Sequence, residues 1–182
     1  LAYVRRDLTA PSGAFYSAED ADSEVAGASE KREGAFYVWT AADIDRLLGD
    51  GAQIVRRRCG MEDSGNALAD PQGEFQGQNI LYVAQPIPDI AARSGRPAGD
   101  VGEALERARA KLFEARAGRP PPHLDDKVIT AWNGLMIAAF ARAGRVLVES
   151  PRRSEWLEGA RRAAQAVIEH LCSAEQRGLL GR

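Results

Sequence analysis

Cysteine is close to absent from this chain, with two residues in 182, Cys59 and Cys172, far apart and in no Cys-x-x-Cys pair. That argues against a disulfide framework and a thiolate metal site, and makes a reducing, cytoplasmic compartment the default. Histidine is equally scarce, at His123 and His170. No cluster of imidazoles is available to hold a metal, and no cofactor is expected. Lysine is confined to Lys31, Lys111 and Lys127, and arginine supplies the remaining positive charge. With abundant Ala and Gly, that bias reads as genome composition. A net charge of -2 leaves no basic face for nucleic acid or an anionic membrane. No apolar run reaches the roughly 18 residues of a membrane helix, and no signal-peptide pattern precedes the first motif.

What is present suits a folded domain. The chain is 45% hydrophobic, and its length fits one domain of roughly 100 to 200 residues. The opening LAYVRRDL reads as the last turns of a helix and the closing GLLGR as a strand about to begin, so a piece of a longer polypeptide is expected. After the turn TAPSG come two aromatic stretches, AFYSA and AFYVW, each preceded by glycine, which read as two strands of one hairpin. Between them lies the acidic EDADSEVAGASEKREG, read as a solvated loop.

Thr40 opens a helix, with Asp43 at the capping-box position and Ile44, Leu47 and Leu48 as its buried stripe; Gly49 ends it. A short helix follows at about 52–58, then a loop to about 78 and a strand NILYVA from Asn79, stopped by Pro86 and Pro88. Val101, Leu105, Ala108 and Leu112 give a one-faced helix at about 100–117. The segment 128–148 is apolar on nearly every side, as expected of a helix packed on both flanks. Ser154 is placed to cap a last amphipathic helix carrying Trp156, Leu157, Ala160, Ala164, Val167 and Leu171. His170, late in that helix, is given no chemistry. The alternation amphipathic, all-apolar, amphipathic predicts helical hairpins in a double ring. The expected division is a helix end, β-hairpin and loop region over 1–98 and helical hairpins over 99–182.

Glu19-Asp20-Ala21-Asp22-Ser23-Glu24 has the carboxylate density of a calcium loop. Against the EF-hand pattern from Asp20, however, Val25 replaces the turning glycine and Lys31 the bidentate glutamate. What survives is a choice between a solvated loop and a substrate-facing cluster of Glu19, Asp20 and Asp22. The richer motif is RPPPHLDDKVITAWNGL at 119–135. Its three prolines stiffen the approach, and Asp125 or Asp126 then lands at the start of the apolar helix. One aspartate can cap that helix; a cap does not need two. If Asp125 caps, then Asp126 and Lys127 fall in the first turn, with Trp132 and Asn133 close behind. Carboxylates, a cation, an amide and an aromatic platform together suit a polyol such as a sugar. The other reading is a capped core helix with its polar groups satisfied locally. His123 is a candidate acid or base, or only a hydrogen-bonding turn residue. Tyr16, with the neighbouring aromatics, is hairpin core or a stacking face.

With GAFYSAEDADSE, EGAFYVWT, GQNILY and RPPPHLDDKVITAWNGLMIAA in this order, the chain resembles the spermatogenesis-associated protein 20-like family. The resemblance implies an N-terminal thioredoxin-like domain, absent here, joined to a six-hairpin (α/α)6 toroid similar to that of sugar epimerases and glycosidases. The chain would then be a mainly α fragment of that toroid with an inserted small β-hairpin region. Related epimerases use paired histidines, whereas this chain offers only His123 near the expected rim. Asp125 or Asp126 with Glu19, Asp20 or Asp22 would suit glycoside hydrolysis, which needs two carboxyl groups about 5 to 9.5 Å apart. A carbohydrate-active enzyme, hydrolase or epimerase-like, is one expectation; its substrate would be held by Lys127, Trp132, Asn133, Glu19 and Tyr16. The rival is a non-catalytic interaction domain accompanying the thioredoxin-like redox module, and a fragment of a ring would also be prone to self-association.

Overall fold

The computed structural model describes residues 1–171 apart from 26, 29, 68–72 and 74. The fold is mainly helical, with two short antiparallel strand pairs among the described residues. None of the described helices is long and apolar enough to cross a membrane. Cys172 and the closing GLLGR lie outside the described residues. The chain divides into two compact units: a terminal one, from Leu1–Asp20 with Leu124–Arg182, and a central one, Ala21–His123.

The terminal unit begins with α1 (Ala2–Asp7), the helix expected of the opening residues. Thr9 donates its hydroxyl to the Val4 carbonyl at 2.8 Å, satisfying one of the acceptors that a helix end leaves open. The chain then reverses through Gly13, whose φ of 98° is a left-handed conformation. A Cβ there would stand 2.9 Å from the Arg162 Cβ, so glycine is required on two counts. β1 (Ala18–Glu19) pairs with β4 (Leu124–Asp125).

The helices α6 (Thr130–Val146) and α7 (Arg153–Leu171) form an antiparallel hairpin whose close approach is written in two glycines. At Gly144 a Cβ would lie 2.6 Å from Leu157, and at Gly159 one would lie 3.0 Å from the Phe140 ring. Phe140 is fully buried and stacks on Phe15 with ring centroids 5.1 Å apart. Ala160 and Ala163 complete the core.

Two expectations for this unit need correction. Trp132, Leu135 and Val146 are 53%, 73% and 62% exposed, so among the described residues α6 covers one face instead of packing on both flanks. Ser154 lies inside α7. The turn before that helix is set by Ser150, which accepts the Arg152 N-H on its hydroxyl and the Arg153 N-H on its carbonyl.

In the central unit the acidic segment is itself a hairpin. β2 (Asp22–Glu24) pairs with β3 (Lys31–Glu33), setting Glu24 opposite Lys31. The expected pairing of the two aromatic stretches is not the one formed. Gly34 takes a φ of 66° and accepts the N-H groups of Tyr37 and Val38, rolling the second Gly-Ala-Phe-Tyr into turns. Thr40 caps α2 (Ala41–Leu48), accepting the Asp43 N-H at 3.0 Å and donating its hydroxyl to the Asp43 carboxylate at 2.8 Å. Gly49 ends that helix.

The helix α3 (Ala52–Arg58) is where the sequence places it. Helix α4 (Ile87–Ser94) is not anticipated by the sequence reading, which takes Pro86 and Pro88 as strand stops. Both prolines suit a helix start, because the first-turn N-H groups have no internal partner to lose. α5 (Ala98–Ala117) buries Val101, Ala108 and Leu112, with Leu105 partly covered. One core gathers Trp39, Ile44, Val55 and Leu112; a second gathers Ile54, Ile90 and Val101.

The expected strand from Asn79 reduces to a single bridge with Trp39. Side-chain amides take over from the ladder here. Asn66 accepts the Ile80 N-H at 2.8 Å and donates to the Ile80 carbonyl at 2.9 Å. Buried Asn79 accepts the Glu62 N-H and donates to the carbonyls of Glu62 and Trp39.

Asn133 does the same in the terminal unit, 118 residues from its partner. It accepts the Phe15 N-H at 2.7 Å and donates to the carbonyls of Phe15 at 2.9 Å and Ile129 at 3.1 Å. Asn133→Ala is therefore expected to lower unfolding free energy by roughly 2 to 4 kcal/mol, because buried backbone groups of Phe15 lose their partners. Thr40→Ala, the loss of one helix cap, is expected to cost about 1 kcal/mol. Chemical denaturation of both variants checks the order. A cost for Asn133→Ala no larger than for the cap would show that the amide is not the main tie.

Candidate functional site

The β1–β4 pairing sets the geometry of the DDK turn. Ala18 stands opposite Asp125 and Glu19 opposite Leu124. Ser17 donates both its backbone N-H, at 3.2 Å, and its hydroxyl, at 3.0 Å, to the Asp125 carbonyl. Asp125 is thereby held in a strand and does not cap α6, which starts at Thr130 after Ile129 without any side-chain cap. Asp126 and Lys127 consequently precede the helix instead of forming its first turn.

The Asp125 carboxylate accepts the Lys127 ammonium at 2.8 Å and the Lys127 N-H at 3.3 Å. The lysine hydrogen bond, with Ser17 second, holds the Asp125 carboxyl below the usual aspartate range. The same contact raises the Lys127 ammonium. Both side chains face solvent, so the pair orders the turn more than it stabilises the fold. Asp126 is exposed beside it, and Trp132, in the first turn of α6, presents about half its surface.

Other candidate residues have different employment. Glu19 accepts the Tyr3 hydroxyl at 2.7 Å. Strand alternation turns it to the face opposite that of Asp125, because Asp125 pairs with its neighbour Ala18. Asp20 is exposed just past β1. Tyr16 is half-buried and its N-H is bonded to the Leu8 carbonyl. Asn133 has both amide hydrogens and its oxygen on backbone groups, which makes it a scaffold residue and not the orienting donor expected. Asp22 and His123 belong to the central unit: Asp22 sits in β2 opposite Glu33, and His123 is exposed at the unit's end. Among the described residues no three His, Cys, Asp or Glu side chains are grouped to hold a metal.

A concave site lies elsewhere, where no sequence motif announces it. In the central unit a cavity of about 470 Å³ is lined by Glu24, Glu33, Trp39, Asp43 and Arg119, among others. Its parts come from a hairpin, a turn, one face of α2, the end of α5 and Arg119 two residues beyond it, so no single local spacing announces it. The one available signal is Arg119 at the head of the RPPP motif.

The chain is a mainly helical segment with two small antiparallel strand pairs. Over the stretch it shares with them, it belongs to the spermatogenesis-associated protein 20 family. It is 42% identical over 159 residues to spermatogenesis-associated protein 20 of Homo sapiens and 41% identical to that of Mus musculus. The human match covers 81% of this chain and 20% of the relative. An uncharacterized protein of Caenorhabditis elegans is 33% identical over 169 residues, 87% of this chain and 23% of the relative. The chain thus spans about a fifth of the length of the curated relatives it matches. No protein-family model matches it.

The geometry of the DDK turn carries a direct test. A carboxyl whose folded pKa is depressed contributes stability above its unfolded pKa and loses it as pH falls through the folded value. Lys127→Ala removes the principal cause at Asp125, so the titration midpoint of that carboxyl, followed by carbon NMR, is expected to rise toward the ordinary aspartate range. An unmoved midpoint would show that the ion pair does not form in solution.

Proposed function

We propose that the chain is a stretch of an (α/α)6 toroid of the six-hairpin glycosidase-like kind, and that the surface bearing Asp125, Lys127 and Trp132 binds a carbohydrate. The observation that carries the reading is the ordered Asp125–Lys127 pair, fixed by strand pairing just ahead of a helix whose first turn holds a half-open indole. Sugar hydroxyls require both donors and acceptors, and the C-H face of a pyranose suits an aromatic plane. Asp125 serves in this reading as acceptor or base. A general acid in glycoside hydrolysis needs its pKa raised, and here it is lowered. Asp20, in step with Ala18 along the strand, is the carboxyl best placed to share the Asp125 face.

One observation favours a second reading, that of an interaction domain serving a thioredoxin-like redox module. Leu135, Val146, Val148 and Ile168 are each more than half exposed, more apolar surface than the carbohydrate site requires.

Thermal shift against a panel of mono- and disaccharides separates the two. A binding sugar at ten times its Kd is expected to stabilise by about 1.4 kcal/mol, with the shift lost in Trp132→Ala and Asp125→Asn. The absence of any shift across the panel, with capture of a purified thioredoxin-like domain instead, would replace the first reading by the second.

A further inference from the structure

The half-buried guanidinium of Arg119 lies outside the DDK surface, and among the described residues its structural contacts use only one of its nitrogens and its face. One of its nitrogens, Nη1, donates to the Phe36 carbonyl at 3.1 Å and the Val38 carbonyl at 2.7 Å. Its Cζ lies 3.9 Å from the centre of the ring of Trp39, a residue 4% exposed. Among the described residues it makes no ion pair with a carboxylate. The nearest acidic influence is Asp43, whose oxygens are spent on Arg46 at 2.9 Å and on the Thr40 hydroxyl at 2.8 Å.

Burial pushes the Arg119 pKa down, with neighbouring Arg116 acting in the same direction and Asp43 against it. A planar fork with one nitrogen anchored, in the wall of a cavity of about 470 Å³, is matched to a carboxylate or phosphate. The remaining lining chooses between them. Arg32 and Arg46 also line it but are paired, with Glu30 at 3.7 Å and Asp43 at 2.9 Å, whereas Glu24 and Glu33 are exposed at the same cavity, and Val38, Leu47 and Ala115 supply apolar wall. Two carboxylates oppose a doubly charged phosphate but accept hydrogen bonds from an ammonium.

We propose that the central-unit cavity binds a small amphoteric carboxylate, an amino acid or close analogue, with its carboxylate on Arg119, its ammonium toward Glu24 and Glu33, and its carbon body against Val38 and Leu47. The site is distinct from the surface around Asp125 and does not depend on carbohydrate binding there.

Titration of the 15N-labelled protein with L-alanine, propionate and inorganic phosphate, each to about 10 mM, follows the Trp39 indole and the Arg119 side-chain signals. L-Alanine is expected to produce a saturable shift, propionate to bind about five-fold more weakly for want of the ammonium, and phosphate to produce none. Arg119→Lys should abolish the L-alanine shift. Because Arg119 also holds two carbonyls, Glu33→Gln provides a variant outside the scaffold. It should weaken L-alanine toward the propionate level while leaving propionate unchanged. Phosphate binding as tightly as L-alanine would overturn the proposal in favour of a phosphate site, and no shift with any of the three would overturn it outright. Glu33→Gln without effect on L-alanine would remove the ammonium half.

Discussion

A buried asparagine amide in the place of a strand partner is the interaction on which the rest of this structure depends. Asn133 offers Phe15 what a neighbouring strand would offer, an acceptor for the N-H and a donor for the carbonyl, while its second hydrogen ties it to the turn before its own helix. Phe15 is then held where its ring stacks on Phe140. Only a primary amide can make all three bonds, because aspartate lacks the donors and serine lacks the reach and geometry. The same device recurs at Asn66 and Asn79, so extended segments are secured by amides where the strand pairs are only two or three residues long. Buried polar side chains are costly unless satisfied, and Asn79 and Asn133, fully buried, are satisfied by backbone.

Helix packing in the terminal unit obeys a complementary constraint, the absence of side chains. Gly144 admits Leu157 and Gly159 admits Phe140, so α6 and α7 approach at two points where any other residue would stand off. Each glycine costs roughly 1 kcal/mol of helix propensity relative to alanine. That loss is offset by burying Phe140 completely, worth about 1.5 to 3 kcal/mol for a side chain of that size. The balance favours the close hairpin.

Where a structural cause is local, the sequence announces it. The Thr40 cap, the Gly49 stop, α3 and the buried stripe of α5 all follow from residues within a turn or two of one another. α4 is missed because proline at a helix start and proline after a strand look alike in sequence. The aromatic hairpin fails because repeated Gly-Ala-Phe-Tyr fixes composition, whereas the turn at Gly34 is fixed by φ and by hydrogen bonds within the turn. At the DDK turn the residue types are legible but their roles are not. Whether Asp125 caps a helix or joins a strand depends on Ser17 and Ala18, more than a hundred residues earlier. The cavity at Arg119 is the extreme case: Asp43, Arg46 and Leu47 share one face of α2, but their meeting with the hairpin and with Arg119 is written in no local pattern.

The charges at these two places illustrate how surroundings, more than residue type, decide what a group can do. Asp125 is an exposed carboxylate paired with an exposed lysine: desolvation is small, the hydrogen bond dominates, and the group is held ionised as acceptor or base. Arg119 has the opposite circumstances. Burial dominates, its partners are carbonyls and an indole, and the carboxylate within electrostatic range is already committed to Arg46 and Thr40. Neutral acceptors and a ring face return only part of the hydration a buried guanidinium gives up. An exposed ion pair can be lost with little effect on the fold, whereas a half-buried cation with no carboxylate ion pair among the described residues favours an anion beside it. By that argument the turn at Asp125 is the more adaptable surface, and the cavity at Arg119 the more selective one.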